Sequence, residues 1–174
     1  PHPPISLVMS KEELKVLIVE DDPTLGKALS ELVSRMHFKP LLTGKPDEAL
    51  TLIKLQTVHF AIIDCMFSKM NGRDLALKLR EESSSDLPIV LTSGIYKDKA
   101  LNREAIKLTG ALAFLTKPFA LDEVATLLEK NLAHVAETPL SPIHDLFTKI
   151  NVSGKERIKA INDTEQVHGF DLPW

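Results

Sequence analysis

At 174 residues, with 44% hydrophobic and 26% charged, the chain suits one ordinary globular domain plus a modest extension and is not a disordered composition. A net charge of −3 without a Lys/Arg stripe argues against nucleic-acid binding, and no apolar run reaches the roughly 18–20 residues of a membrane span, so no membrane insertion is expected. The single cysteine, Cys65, excludes an internal disulfide and fits a reducing, cytoplasmic setting.

Residues 1–13 read as a leader whose apolar patch is too short, and too poor in cations, for a signal peptide. Val16-Leu17-Ile18-Val19 is a β-branched apolar run ending abruptly in acids, the pattern of a strand buried on both faces. Leu25, Ala28, Leu29, Leu32, Val33 and Met36 then recur at helical spacing over 24–36. A weaker strand over 39–42 ends at Gly44, and Pro46 opens a helix carrying Ala49, Leu50 and Ile53. Phe60-Ala61-Ile62-Ile63 is a second buried strand, closed by Asp64, and a short helix covers 73–80. After a Ser-rich loop at 83–86, Pro88-Ile89-Val90-Leu91 is a strand and 98–108 a helix. Ala111 to Leu115 reads as the fifth strand, and 121–135 as a helix with Val124, Leu127, Leu128, Leu132 and Val135 on one face.

Five apolar strands alternating with five helices predict an α/β fold, a (βα)₅ doubly wound open parallel sheet over 14–136. Ligands of such sheets bind outside the carboxyl ends of the strands. Glu20, Asp21 and Asp22 follow the first strand, Asp64 the third, Thr92 and Ser93 the fourth, and Lys117 the fifth. Each has a plain structural explanation: acids cap helices, a lone Asp at a strand end makes a turn, and a lysine is often solvated. Asp22-Pro23-Thr24 suits a helix start, which leaves Glu20 and Asp21 for the site. Gathered carboxylates repel unless a cation intervenes, and Mg²⁺ takes carboxylate and phosphate oxygens. A hydroxyl and an ammonium opposite would clamp a phosphoryl group, and a carboxylate held there can be its acceptor.

These residues resemble the receiver domain of two-component response regulators, of the chemotaxis-regulator type. The matching stretches are 16–23, Ile62-Ile63-Asp64-Cys65-Met66 with Met70-Asn71-Gly72, 87–94, and Phe114-Leu115-Thr116-Lys117-Pro118-Phe119, within about 14–134. The resemblance implies a flavodoxin-like strand order 2-1-3-4-5. It implies that Asp64 is the phosphoacceptor, Asp21 a direct Mg²⁺ ligand, Glu20 its partner through water, and the Met66 backbone carbonyl a further ligand. Thr92 matches the hydroxyl that moves onto the phosphoryl group, Lys117 its pairing cation, and Phe114 the aromatic switch position; Lys117-Pro118 is expected to be cis. The partner implied is a histidine kinase or phosphotransfer protein, with an unknown downstream protein target and a possible homodimer.

Ser68 stands where the family commonly has proline, so the loop 67–69 is expected to be more mobile than usual. Met66 and Gly94 cannot orient an attacking water, which predicts slow self-dephosphorylation. Phe114 in place of the more usual tyrosine leaves a purely steric switch.

Beyond 136 the resemblance stops, and 137–174 reads as an extension with one or two short helices. Ile143, Leu146, Phe147 and Ile150 form an apolar stripe, a capping box at Ser153 and Glu156 opens a second helix, and Trp174 ends the chain. The stripe and Trp174 are candidates for docking, either on the receiver itself or on a partner. Four Lys/Arg against six Asp/Glu make this no DNA-binding arm, so no DNA-binding output is expected. The favoured reading is a phosphorylation switch, not an enzyme with its own substrate. The alternatives are a pseudo-receiver that binds partners regardless of phosphate through its extension, a phosphoaspartate hydrolase and a nucleotide-binding protein. A hydrolase would want an acid where Met66 stands, and a nucleotide site a Gly-rich loop where Glu20-Asp21-Asp22 stands.

Overall fold

The computed structural model describes residues 10–67, 70–95, 98–133 and 135. The extension, with Ile143, Leu146, Phe147, Ile150 and Trp174, lies outside the described residues, as do Ser68 and Lys69. Five strands alternate with five helices: β1 (Lys15–Val19), α1 (Pro23–Arg35), β2 (Lys39–Thr43), α2 (Pro46–Leu55), β3 (Phe60–Asp64), α3 (Gly72–Glu82), β4 (Ile89–Ser93), α4 (Lys99–Thr109), β5 (Ala113–Thr116) and α5 (Leu121–Leu132). All neighbouring strands are parallel, in the order β2-β1-β3-β4-β5.

Alternation along the strands builds two cores, one on each face. Val16, Ile18, Phe60, Ile62 and Val90 pack against Leu25, Leu29 and Leu32 of α1 and Val124 and Leu128 of α5. On the other face, Leu17, Val19, Ala61, Ile63, Ile89 and Leu91 meet Ile53 of α2, Leu75 and Leu79 of α3, and Ala105 of α4. Each fully buried Leu or Ile contributes about 1.5–3 kcal/mol, so the two layers fix the sheet between them. The β1–β3–β4 centre is buried on both sides, while Pro40, which has no N–H to donate, sits on the edge strand β2.

Helix starts follow the local chemistry. Asp22 Oδ1 accepts from the Thr24 and Leu25 N–H groups at 2.9 and 3.4 Å, with Pro23 in the first turn. Asn71 and Asp98 cap α3 and α4 in the same way, at 2.9 and 2.7 Å. Gly110, at φ 68°, ends α4 in the left-handed region. That turn delays β5 to Ala113, two residues later than the apolar run suggests, and leaves Leu112 exposed. α5 ends at Leu132, short of Val135, which folds back onto the core in a turn. Ahead of β1, a single 3₁₀ turn over Lys11–Glu13 is closed by the Glu13 carboxylate, which accepts from the Ser10 N–H at 2.8 Å.

Candidate functional site

Every polar group singled out at a strand end comes to one edge of the sheet. Asp64, the last residue of β3, pairs in register with Thr92 of β4. Both are almost wholly buried, 3% and 1% exposed. Glu20, directly after β1, is 4% exposed, whereas Asp21 beside it faces solvent. Lys117 follows β5 and reaches back across the edge. Its Nζ lies 2.8 Å from Glu20 Oε2 and 3.1 Å from Asp64 Oδ2. The Lys117–Pro118 peptide is cis.

Burial raises the cost of charge here, and the lysine offsets it. Loss of water pushes the Glu20 carboxyl up to about 7, against the hydrogen bond from Lys117, with the Asp64 charge adding to the rise. Burial alone would lower the Lys117 ammonium, but the hydrogen bond from Lys117 to Glu20 and the charges of both acids outweigh it and hold its pKa above the usual lysine value. Cys65, next to the Asp64 carboxylate, is pushed up to about 12 by burial and by Asp64, so its thiol stays protonated and inert.

The site has the donor set for a hard cation. One carboxylate oxygen each from Glu20, Asp21 and Asp64 lies within 4.8 Å of the others. Three carboxylates against one ammonium leave a formal charge of −2 when all are ionised, which a divalent ion would neutralise. All-oxygen chemistry suits Mg²⁺ and not a thiolate- or imidazole-seeking metal. Residues and ion therefore fit.

Local backbone structure shapes the mouth. The Met66 N–H donates to Asp64 Oδ1 at 3.1 Å, and the Met66 side chain stands exposed at the rim. Gly72 opens α3 against the end of β3: a Cβ there would lie 2.2 Å from the Asp64 carbonyl oxygen and 2.6 Å from Cys65 Cα. The sequence assigns neither Asn71 nor Gly72 a role beyond its place in the resemblance, although an Asn-Gly pair just before a helix is a readable cap signal. Gly44 makes a similar close approach, with a Cβ position 3.3 Å from Asp21 Cα. A cavity of about 340 Å³ opens beside Asp21, walled by Lys45, Pro46, Phe67 and Met70.

Thr92 Oγ1 is buried with no hydrogen-bond partner among the described residues. Phe114, in register with Leu91, is half-buried and packs on the core beneath α2, α3 and α4.

Known proteins share the family pattern and the fold. A family model for the response regulator receiver domain matches residues 16–129. The chain is 32% identical over 108 residues to the heme response regulator HssR of Staphylococcus saprophyticus, covering 62% of this chain and 46% of that protein, so it spans about half its relative's length. The fold matches the receiver domain of the sensor histidine kinase PA1611 from Pseudomonas aeruginosa, determined with magnesium in its active-site cleft, at TM-score 0.60 and 20% identity over 68% of this chain and 97% of that one. It also matches the beryllofluoride-activated NtrC4 receiver domain dimer at TM-score 0.63 and 20% identity, over 70% and 98%. Sheet order, acidic edge and family match agree: the chain belongs to the response regulator receiver domain family of two-component signalling.

Proposed function

We propose that the protein is a response regulator whose receiver accepts a phosphoryl group on Asp64 from a phosphohistidine of a histidine kinase or phosphotransfer protein. An Asp64 carboxylate oxygen attacks phosphorus, the phosphorus–nitrogen bond breaks with its electron pair going to nitrogen, and the donor ring, already protonated on its other nitrogen, leaves as neutral imidazole. Glu20, Asp21, Asp64 and the Met66 carbonyl would hold Mg²⁺, which when bound would supply charge neutralisation at the transferring group. Lys117 and Thr92 then hold the phosphoryl oxygens, the lysine as a point charge and the hydroxyl as a donor. Positioning and charge neutralisation do the chemical work of this transfer.

The observation that carries this reading is the buried Thr92 hydroxyl, without a partner among the described residues and in direct register with a buried carboxylate already faced by an ammonium. An orphaned buried hydroxyl costs about 1–3 kcal/mol, a cost that a phosphoryl oxygen would remove. Drawing Thr92 inward frees space that Phe114 fills, which changes the surface that a downstream protein or a second receiver reads. A location in the cytoplasm, beside the kinase's catalytic side, goes with this reading; none of the described helices is long and apolar enough to cross a membrane.

Beryllofluoride, a phosphoryl mimic, tests the site without a kinase. A bound ¹⁹F resonance should appear only with Mg²⁺ present and be missing in Asp64→Ala. Binding that persists in the variant would refute the assignment.

A further inference from the structure

The two ends of α4 are fastened unequally. Its C-terminal end is gripped by Arg80, from the last turn of α3. Arg80 donates from Nε to the Thr109 carbonyl at 2.8 Å and from Nη2 to the Gly110 carbonyl at 3.0 Å. The same guanidinium donates from Nη1 to the carbonyls of Ser85 and Leu87, at 2.6 and 2.7 Å. One planar, permanently charged group thus ties the end of α4 to the loop before β4. Inside the helix, Thr109 Oγ1 donates to the Ala105 carbonyl at 2.7 Å, and just beyond it the Leu112 N–H donates to the Ile89 carbonyl of β4 at 2.8 Å.

Among the described residues, the N-terminal half carries fewer anchors. The buried residues of α4, Ala105 and Thr109, both lie in its second half, and Leu101 is exposed. Asn102 Nδ2 reaches Thr116 Oγ1 of β5 at 3.4 Å, at the edge of hydrogen-bonding distance. Its Oδ1 is buried without a partner among the described residues. Thr116 pairs in register with Ser93 and precedes Lys117, so this contact borders the site.

We infer that Arg80 is the pivot of α4: a shift at the end of β4 swings the N-terminal half of the helix away from the long Asn102–Thr116 contact, while the Arg80 grip keeps its C-terminal end fixed. This rests on the reading of Asp64 as phosphoacceptor, because the shift is the one Thr92 makes toward a phosphoryl group. Arg80 acts here as a positioning residue, touching neither phosphate nor metal.

Hydrogen exchange of the full chain tests it, with and without Mg²⁺ and beryllofluoride, in wild type and in Arg80→Met, which keeps the apolar stem. Without ligand, Arg80→Met should speed exchange at 106–112 roughly tenfold or more while the sheet stays protected. With ligand, the wild-type change should be confined to 94–105, and in the variant it should extend through 106–112. Arg80→Lys, a single ammonium that cannot span four carbonyls, should behave like Arg80→Met. Equal acceleration across the whole protein, or a wild-type ligand response spread evenly along α4, would overturn the pivot. Absence of a bound ¹⁹F signal would instead defeat the phosphoacceptor reading, and with it the swing; bound fluoride with an even response defeats the pivot alone.

Discussion

Asp64 and Thr92 are register partners at the ends of two central parallel strands, so a buried carboxylate and a hydroxyl with no partner among the described residues sit side by side, almost closed to water. That placement puts opposite demands on stability and switching. Thr92→Val removes an unsatisfied polar group and keeps the shape, so the unliganded protein should gain about 1 kcal/mol or stay unchanged. The same variant should lose the beryllofluoride-dependent change in exchange at 94–105. Urea unfolding and hydrogen exchange measure the two effects separately. A variant markedly less stable than wild type would show that the hydroxyl is already engaged.

Gly72 lets α3 start directly against the end of β3, where a methyl group would collide with the Asp64 carbonyl oxygen. Gly72→Ala should cost about 1–3 kcal/mol in chemical denaturation, and more if the strand cannot shift. It should also lower Mg²⁺ affinity, because relief of the clash moves Asp64. Wild-type stability in this variant would contradict the close approach.

His59 Nδ1 accepts the Lys15 N–H at 3.0 Å, and burial, with a contribution from the Lys15 charge, lowers its pKa from the usual value. Its neutral form belongs to the fold, so its contribution is present above about pH 6.5 and is lost as pH falls through the lower folded value. Glu20 has the opposite sign: its raised carboxyl favours the fold at low pH, a gain lost as pH rises through about 7. The His59 effect is therefore read as a difference. His59→Gln, which keeps an acceptor, should lose less stability than wild type between pH 7 and pH 5. Parallel pH profiles for the two proteins would remove His59 from the account.

Much of this was legible in the sequence, for identifiable reasons. Strands buried on both faces are uninterrupted apolar runs, so β1 and β3 end visibly where Glu20 and Asp64 begin. Asp22-Pro23 announces α1 through cap chemistry alone. β5 was harder to place, because Ala111 and Leu112 extend its apolar run backward across the left-handed turn at Gly110. The contact of Lys117 with Glu20 joins residues 97 positions apart, and only the folded sheet makes it. Arg80 gave no signal at all, since its targets are main-chain carbonyls that no side-chain pattern reveals.

Met66 places an exposed thioether at the rim of the site, where it can neither donate to nor orient a water. The phosphorylated protein should therefore lose phosphate slowly. Met66→Asn, which adds a donor and an acceptor, should speed the loss about tenfold or more. Time courses of phosphate release compare the two. A wild-type lifetime of seconds that Met66→Asn leaves unchanged would contradict the assignment.

The central claim is that Asp64 takes a phosphoryl group. Its most direct test is intact mass after incubation with Mg²⁺ and a small phosphodonor, for wild type and Asp64→Ala side by side. The account predicts addition of one phosphoryl group to the wild type, none when Mg²⁺ is withheld by chelation, and none in the variant. No addition to wild type, or equal addition to Asp64→Ala, would contradict it.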